Sequence, residues 1–79
     1  MATKVWVVDD EEPVRLVLEA MLKKLGYEVT LFPRAEDAMK AYAPHIADVI
    51  ITDLRMPGMN GMDLTRSILE RDKNAIIII

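Results

Sequence analysis

Apolar residues in this chain come in two patterns that alternate along its length. Short unbroken runs are separated by stretches in which apolar residues recur every three or four positions. The first run, Lys4 to Val8 (KVWVV), is β-branched and nearly all apolar. It reads as a strand covered on both faces, as in a parallel sheet, with Trp6 in the core. Pro13 suits the first turn of a helix, where its missing N–H costs nothing. From there Val14, Val17, Leu18, Met21, Leu22 and Leu25 recur at helical spacing, and Arg15, Glu19, Lys23 and Lys24 fall mostly on the other face. Gly26 follows as a C-cap. Tyr27 to Phe32 (YEVTLF) alternates as a strand nearer an edge, and Pro33 ends it. Ala35 to Ala43 reads as a short helix with Ala38, Met39 and Tyr42 inward, stopped by Pro44. Ala47 to Thr52 (ADVIIT) is a third strand. Met62 to Arg71 is a third helix, its stripe formed by Met62, Leu64 or Thr65, Ile68 and Leu69. After the turn at Asp72-Lys73-Asn74, Ala75 to Ile79 (AIIII) reads as a fourth buried strand.

The order is β-α-β-α-β-α-β. Such alternation predicts an α/β fold with a parallel sheet and right-handed crossovers. All strands then point one way, so the first and third end on the same edge. With strand order 2-1-3-4 these two are neighbours, and the chain reverses its winding direction between them. Ligands bind in the crevice at such a switch point. Both strands end on carboxylates: VWVVDDEEP stops on Asp9 and Asp10, and VIITDLRMPGMNG places Asp53 before a loop with Pro57, Gly58 and Gly61. The three carboxylates are expected to converge. Close carboxylates repel, and Mg²⁺, which prefers hard oxygen ligands and binds through one or two carboxylates plus phosphate oxygens, relieves that repulsion. An Asp in such a place can also act as a nucleophile toward a phosphoryl group.

Composition narrows the alternatives. The 79 residues allow one small domain, which buries roughly 60% of its unfolded surface. Ten basic and 13 acidic residues give a net charge of −3, so nothing in the balance favours nucleic acid or an anionic membrane. There is no cysteine, hence no disulfide framework and no thiolate site, and the single His45 cannot build a His-rich zinc site. No apolar run approaches a membrane span, and no charged segment with a long apolar stretch opens the chain. A cytoplasmic location is the expectation. Met56, Met59 and Met62 read as packing residues, and Glu11 and Glu12 as partners of the helix dipole.

Taken together, the acidic pair after the first strand, the lone Asp ending the third and the M-P-G-M-N-G loop resemble the receiver domain of two-component response regulators. The wording DLRMPGMNG is similar to receivers of the nitrogen-regulator type. The resemblance covers the whole chain and implies a flavodoxin-like, doubly wound sheet. It implies that Asp53 is the phosphoacceptor and that Asp9 and Asp10 organise Mg²⁺, with Asp10 the more direct ligand and Asp9 acting through water. It implies that the backbone carbonyl of Arg55 also binds the metal. The partner it implies is a sensor histidine kinase or a phosphotransfer protein that donates from phosphohistidine.

Against that family the chain is expected to be the N-terminal part of a receiver, residues 1–79, truncated at the C-terminal side within the fourth strand. The hydroxyl residue after that strand, the lysine ending a fifth strand, the aromatic switch residue and the last two helices have no counterpart. An uncovered apolar fourth strand predicts a homo-oligomer or segment-swapped dimer through its edge. Two other functions compete. A phosphate-ester hydrolase working through an aspartyl intermediate wants a second Asp two residues past the nucleophile, where this chain has Arg55. The other alternative is a phosphorylation-incompetent receiver fragment that acts only as an oligomerising or interaction piece.

Overall fold

The sheet is organised by its most buried strand. In a computed structural model, which describes residues 2–79, β1 (Lys4–Val8) pairs in parallel with β2 (Glu28–Phe32) on one side and β3 (Val49–Thr52) on the other. β4 (Ile77–Ile78) adds to β3, giving the order β2-β1-β3-β4. This is the doubly wound order that the family resemblance implies. α1 (Glu12–Lys24), α2 (Ala35–Ala41) and α3 (Gly61–Arg71) supply the crossovers.

Side chains alternate across the pleat, so β1 feeds two interiors. Trp6 and Val8 join Ile50 from β3, Ala35 and Ala38 from α2, and Leu64 and Ile68 from α3 in one continuous core. Two stacking contacts add to its apolar burial. The Trp6 ring lies 4.5 Å from Phe32 in a tilted pair and 6.3 Å from Tyr42, edge on. Arg71 closes the far end, its guanidinium 5.1 Å above the Tyr42 ring and its Nη2 donating to the Tyr42 carbonyl at 3.3 Å. Val5 and Val7, equally buried, belong to the opposite face under α1.

That opposite face is thinner than the apolar pattern predicts. α1 has no buried residue; Val14, Leu18 and Leu22 are half-buried, while Met21 and Leu25 are 57% and 69% exposed. The i, i+4, i+8 row leans on β1 and β2. The rest of the wide stripe finds no layer among the described residues. β4 departs similarly. AIIII reads as a buried five-residue strand, yet only Ile77 and Ile78 pair, and Ile76, Ile78 and Ile79 are more than half exposed. Apolar composition buries a residue only where a second layer meets it.

The helix ends show what the spacing missed. α3 starts at Gly61 rather than Met62, because Asn60 and Asp63 form a reciprocal capping box: the Asp63 N–H donates to Asn60 Oδ1 at 2.9 Å and the Asn60 N–H to Asp63 Oδ2 at 3.5 Å. Within α3, Leu64 and Ile68 are fully buried, whereas Met62 and Leu69 flank the contact and are 46% and 39% exposed. α2 ends at Ala41, two residues early, and Tyr42 in extended backbone swings its ring into the core. β3 starts at Val49, not Ala47; the Asp48 N–H pairs with the Lys4 carbonyl before the ladder begins.

Candidate functional site

The register of the central strands brings the acidic residues together. Val8 pairs with Thr52, so the next residue of each strand, Asp9 and Asp53, emerges at the same level of the C-terminal edge. The hydrogen bonds continue one step past the strands. The Asp53 N–H donates to the Val8 carbonyl at 2.9 Å, and the Asp9 N–H to the Phe32 carbonyl at 3.1 Å. Between β1 and β3 the winding reverses, with α1 on one face and α2 and α3 on the other. A crevice at that reversal is where open α/β sheets bind ligands.

Asp9, Asp10 and Asp53 each direct a carboxylate oxygen into a space in which these atoms lie within 4.8 Å of one another. The sequence reading expected these three to meet, and they do. Asp9 is buried, Asp53 half-buried and Asp10 open to solvent. None of the three forms an ion pair with lysine or arginine among the described residues. Even in water-like surroundings, unit charges at this separation repel by about 1 kcal/mol per pair. The donor set is therefore all oxygen and anionic, with no lysine or arginine ion pair among the described residues, which fits a hard divalent cation that keeps part of its water shell.

The three carboxylates are not equivalent. Asp9 is tied locally: its Oδ1 accepts the Glu11 N–H at 2.9 Å, and its carbonyl accepts Arg15 Nη1 at 2.7 Å. Arg15, assigned by spacing to the solvent face of α1, thus reaches back to fasten the loop beneath the site. No side chain caps α1. Among the described residues, Asp10 has no such tie and is free to take a ligand. Behind Asp53, the buried Thr52 hydroxyl donates to the Asp53 carbonyl at 3.1 Å, and Gly61 packs so closely that a β-carbon there would collide with that same carbonyl oxygen. The Gly61 N–H donates to the Leu54 carbonyl at 3.0 Å, closing the loop that carries Arg55. The roles of Arg15, Thr52 and Gly61 were invisible in the chain, because each depends on which backbone atom it meets in space.

The parallel sheet with its acidic switch point defines a class: a doubly wound α/β domain with a carboxylate pocket at the carboxyl ends of two adjacent central strands. A family model described as the response regulator receiver domain matches residues 5–79, and the chain belongs to that family. It is 40% identical over 75 residues to the DNA-binding transcriptional regulator NtrC of Escherichia coli K12, and 36% identical over 74 residues to NtrC of Klebsiella pneumoniae. These matches cover 95% and 94% of this chain but 16% of each relative. Among solved structures it is similar to the response regulator TrrA of Thermotoga maritima in complex with Mg²⁺-BeF, at 32% identity and a TM-score of 0.89, covering 98% of this chain and 67% of that one. The non-phosphorylated HemR receiver domain of Leptospira biflexa matches at 27% identity and a TM-score of 0.87, covering 95% of this chain and 62% of that one. TrrA also matches as solved with the histidine kinase ThkA, at 33% identity and a TM-score of 0.88, covering 95% of this chain and 65% of that one. The chain thus belongs among the receivers of two-component response regulators, which are signalling domains. No helix among the described residues is long and apolar enough to cross a membrane.

Proposed function

We propose that this chain is a phosphoacceptor, with Asp53 taking a phosphoryl group from a phosphohistidine of a sensor kinase or phosphotransfer protein. The observation that carries the reading is the meeting of Asp53 with Asp9 and Asp10 at one switch point. A carboxylate oxygen of Asp53 attacks phosphorus, the bond from phosphorus to the imidazole nitrogen breaks, and that nitrogen keeps the electron pair and takes a proton. Asp10, Asp53 and the Arg55 carbonyl would hold Mg²⁺, with Asp9 holding ligand water. Bound there, the ion supplies charge neutralisation for the transferring group. Thr52 and Gly61 keep the Asp53 backbone in place, and Arg15 does the same for Asp9. A kinase partner is supported by the likeness to TrrA, solved with ThkA.

The test is intact mass after incubation with Mg²⁺ and a small acyl phosphate, alongside Asp53→Ala. One phosphoryl adduct in the parent chain and none in the variant is expected. A folded chain that takes no adduct would leave the second reading in its place.

That second reading, an oligomerising or interaction piece without phosphorylation, is favoured by the uncovered isoleucines of β4 and the bare side of α1. The free β4 edge offers unpaired backbone beside exposed Ile76 and Ile78, which suits strand addition by a second copy. Light scattering should give a dimer or larger species. A monodisperse monomer with unchanged helix content would remove this assembly.

A further inference from the structure

Glu36 stands in the first turn of α2, where acidic residues complement the helix dipole and normally face water. It turns inward instead. Its Oε2 accepts the Met59 N–H at 3.4 Å, and the same oxygen lies so close to Gly58 that a β-carbon there would collide with it. Its other oxygen, Oε1, is shielded from solvent and has no hydrogen-bond partner among the described residues. A buried carboxylate oxygen left without a donor is unfavourable, so hydrogen bonding by Glu36 itself does not account for the placement. Nor does the dipole, which Asp37 in the same turn also serves.

What the placement achieves is a contact with the loop between Asp53 and α3. That loop is anchored at its ends, by burial of Met56 and by the Gly61–Leu54 hydrogen bond with the Asn60 cap. Between them the backbone turns through Gly58 at φ +75°, which side chains rarely adopt. Among the described residues, the Glu36 carboxylate is the one group from outside this loop and α3 that accepts from the loop backbone.

Resting on the reading of the Arg55 carbonyl as a cation ligand, we infer that Glu36 is a positioning residue for the metal site. It braces the Gly58–Met59 turn from α2, so the loop carrying Arg55 is ordered before a cation arrives. A site ordered in advance spares the ion the cost of ordering it, and outer partners of metal ligands typically change affinity by 10-fold or more when removed.

Two measurements on the 79-residue chain test this: amide hydrogen exchange across residues 54–60 without metal, and Mg²⁺ titration followed by NMR shifts. Glu36→Ala should speed exchange at Met59 and weaken Mg²⁺ by about 10-fold. Glu36→Gln keeps an acceptor oxygen for the Met59 N–H and should restore most of both. Asp10→Ala, the control, should weaken Mg²⁺ while leaving exchange at Met59 unchanged. If Glu36→Ala does not fold, Gly58→Ala disturbs the same contact from the loop side and should act in the same direction. Unchanged exchange would overturn the brace whether or not metal binds. Faster exchange with unchanged affinity would overturn its service to the cation. A parent chain with no Mg²⁺ response, yet with faster exchange in Glu36→Ala, would remove the metal reading and the positioning role with it, leaving the brace as a loop contact only.

Discussion

Replacing Gly61 by alanine sets two effects of opposite sign against each other. Gly61 is the first residue of α3, and in a helix alanine is favoured over glycine by about 1 kcal/mol, chiefly through backbone entropy. Propensity alone predicts a more stable chain. The structure predicts the reverse. A β-carbon at position 61 would collide with the Asp53 carbonyl oxygen and lie 3.0 Å from both the Asp53 carbonyl carbon and the Leu54 Cα. These are backbone atoms, so no side chain can rotate away. Overpacking of this kind costs about 1–3 kcal/mol. Moving α3 outward would also strain the Gly61–Leu54 hydrogen bond, worth about 1 kcal/mol. The net expectation is a loss of about 1–3 kcal/mol, or roughly 4–24 °C in Tm for a domain of this size. Thermal unfolding followed by circular dichroism measures it. The displaced atoms belong to Asp53, so phosphoryl labelling should fall as well, even at temperatures where the variant is folded. A Gly61→Ala chain with equal or higher Tm would refute the reasoning, because it would mean that α3 and the Asp53 loop do not approach as described.

Three further outcomes follow from the same structure. Mg²⁺ at about 100 times its dissociation constant should stabilise the parent chain by about 2.7 kcal/mol, and Asp10→Ala should lose most of that increment in a thermal melt; an undiminished increment would take Asp10 out of the site. Leu64→Ala empties a fully buried position between α3 and the sheet and should cost about 2–5 kcal/mol, enough to leave a chain this small largely unfolded in a urea titration. Burial, and then the Asp72 carboxylate beside it, raise the Tyr42 phenol above its ordinary value of 10.0, with Arg71 opposing. The folded chain thus holds the neutral phenol more tightly than the unfolded chain does. The resulting stabilisation is complete below about pH 10 and is lost as pH rises through the folded value. Tyr42→Phe should flatten the fall in Tm above pH 10, and an identical alkaline decline in both chains would show that the phenol is not held this way.

The element order was legible in the chain because it rests on local regularities, whereas the strand order came with the family resemblance. The apolar runs Lys4–Val8 and Ala47–Thr52 read as strands with two covered faces, and Pro13 and Gly26 punctuate the first helix through backbone restrictions that act within a residue or two. The acidic site was legible for a related reason. In a parallel sheet, strand direction alone sends Asp9, Asp10 and Asp53 to one edge, and a reversal of winding makes their strands neighbours. The helical stripes were read less well. Spacing cannot tell a position that faces a partner from one a turn-fraction away, so Val17, Met21, Met62 and Leu69 were counted with Leu64 and Ile68 although only the latter two are buried.

What the amino-acid sequence determined by itself is therefore the set of elements, their parallel arrangement and the identity of the three carboxylates. What only the tertiary structure decided is which backbone atoms those carboxylates and their supports meet. Arg15 reaching the Asp9 carbonyl, Thr52 and Gly61 enclosing the Asp53 carbonyl, and Glu36 turned inward onto Gly58 and Met59 join residues up to 23 positions apart through contacts at a few ångströms. Hydrogen bonding and steric exclusion decay within such distances, so no periodicity along the chain encodes them. They exist only once two elements have packed.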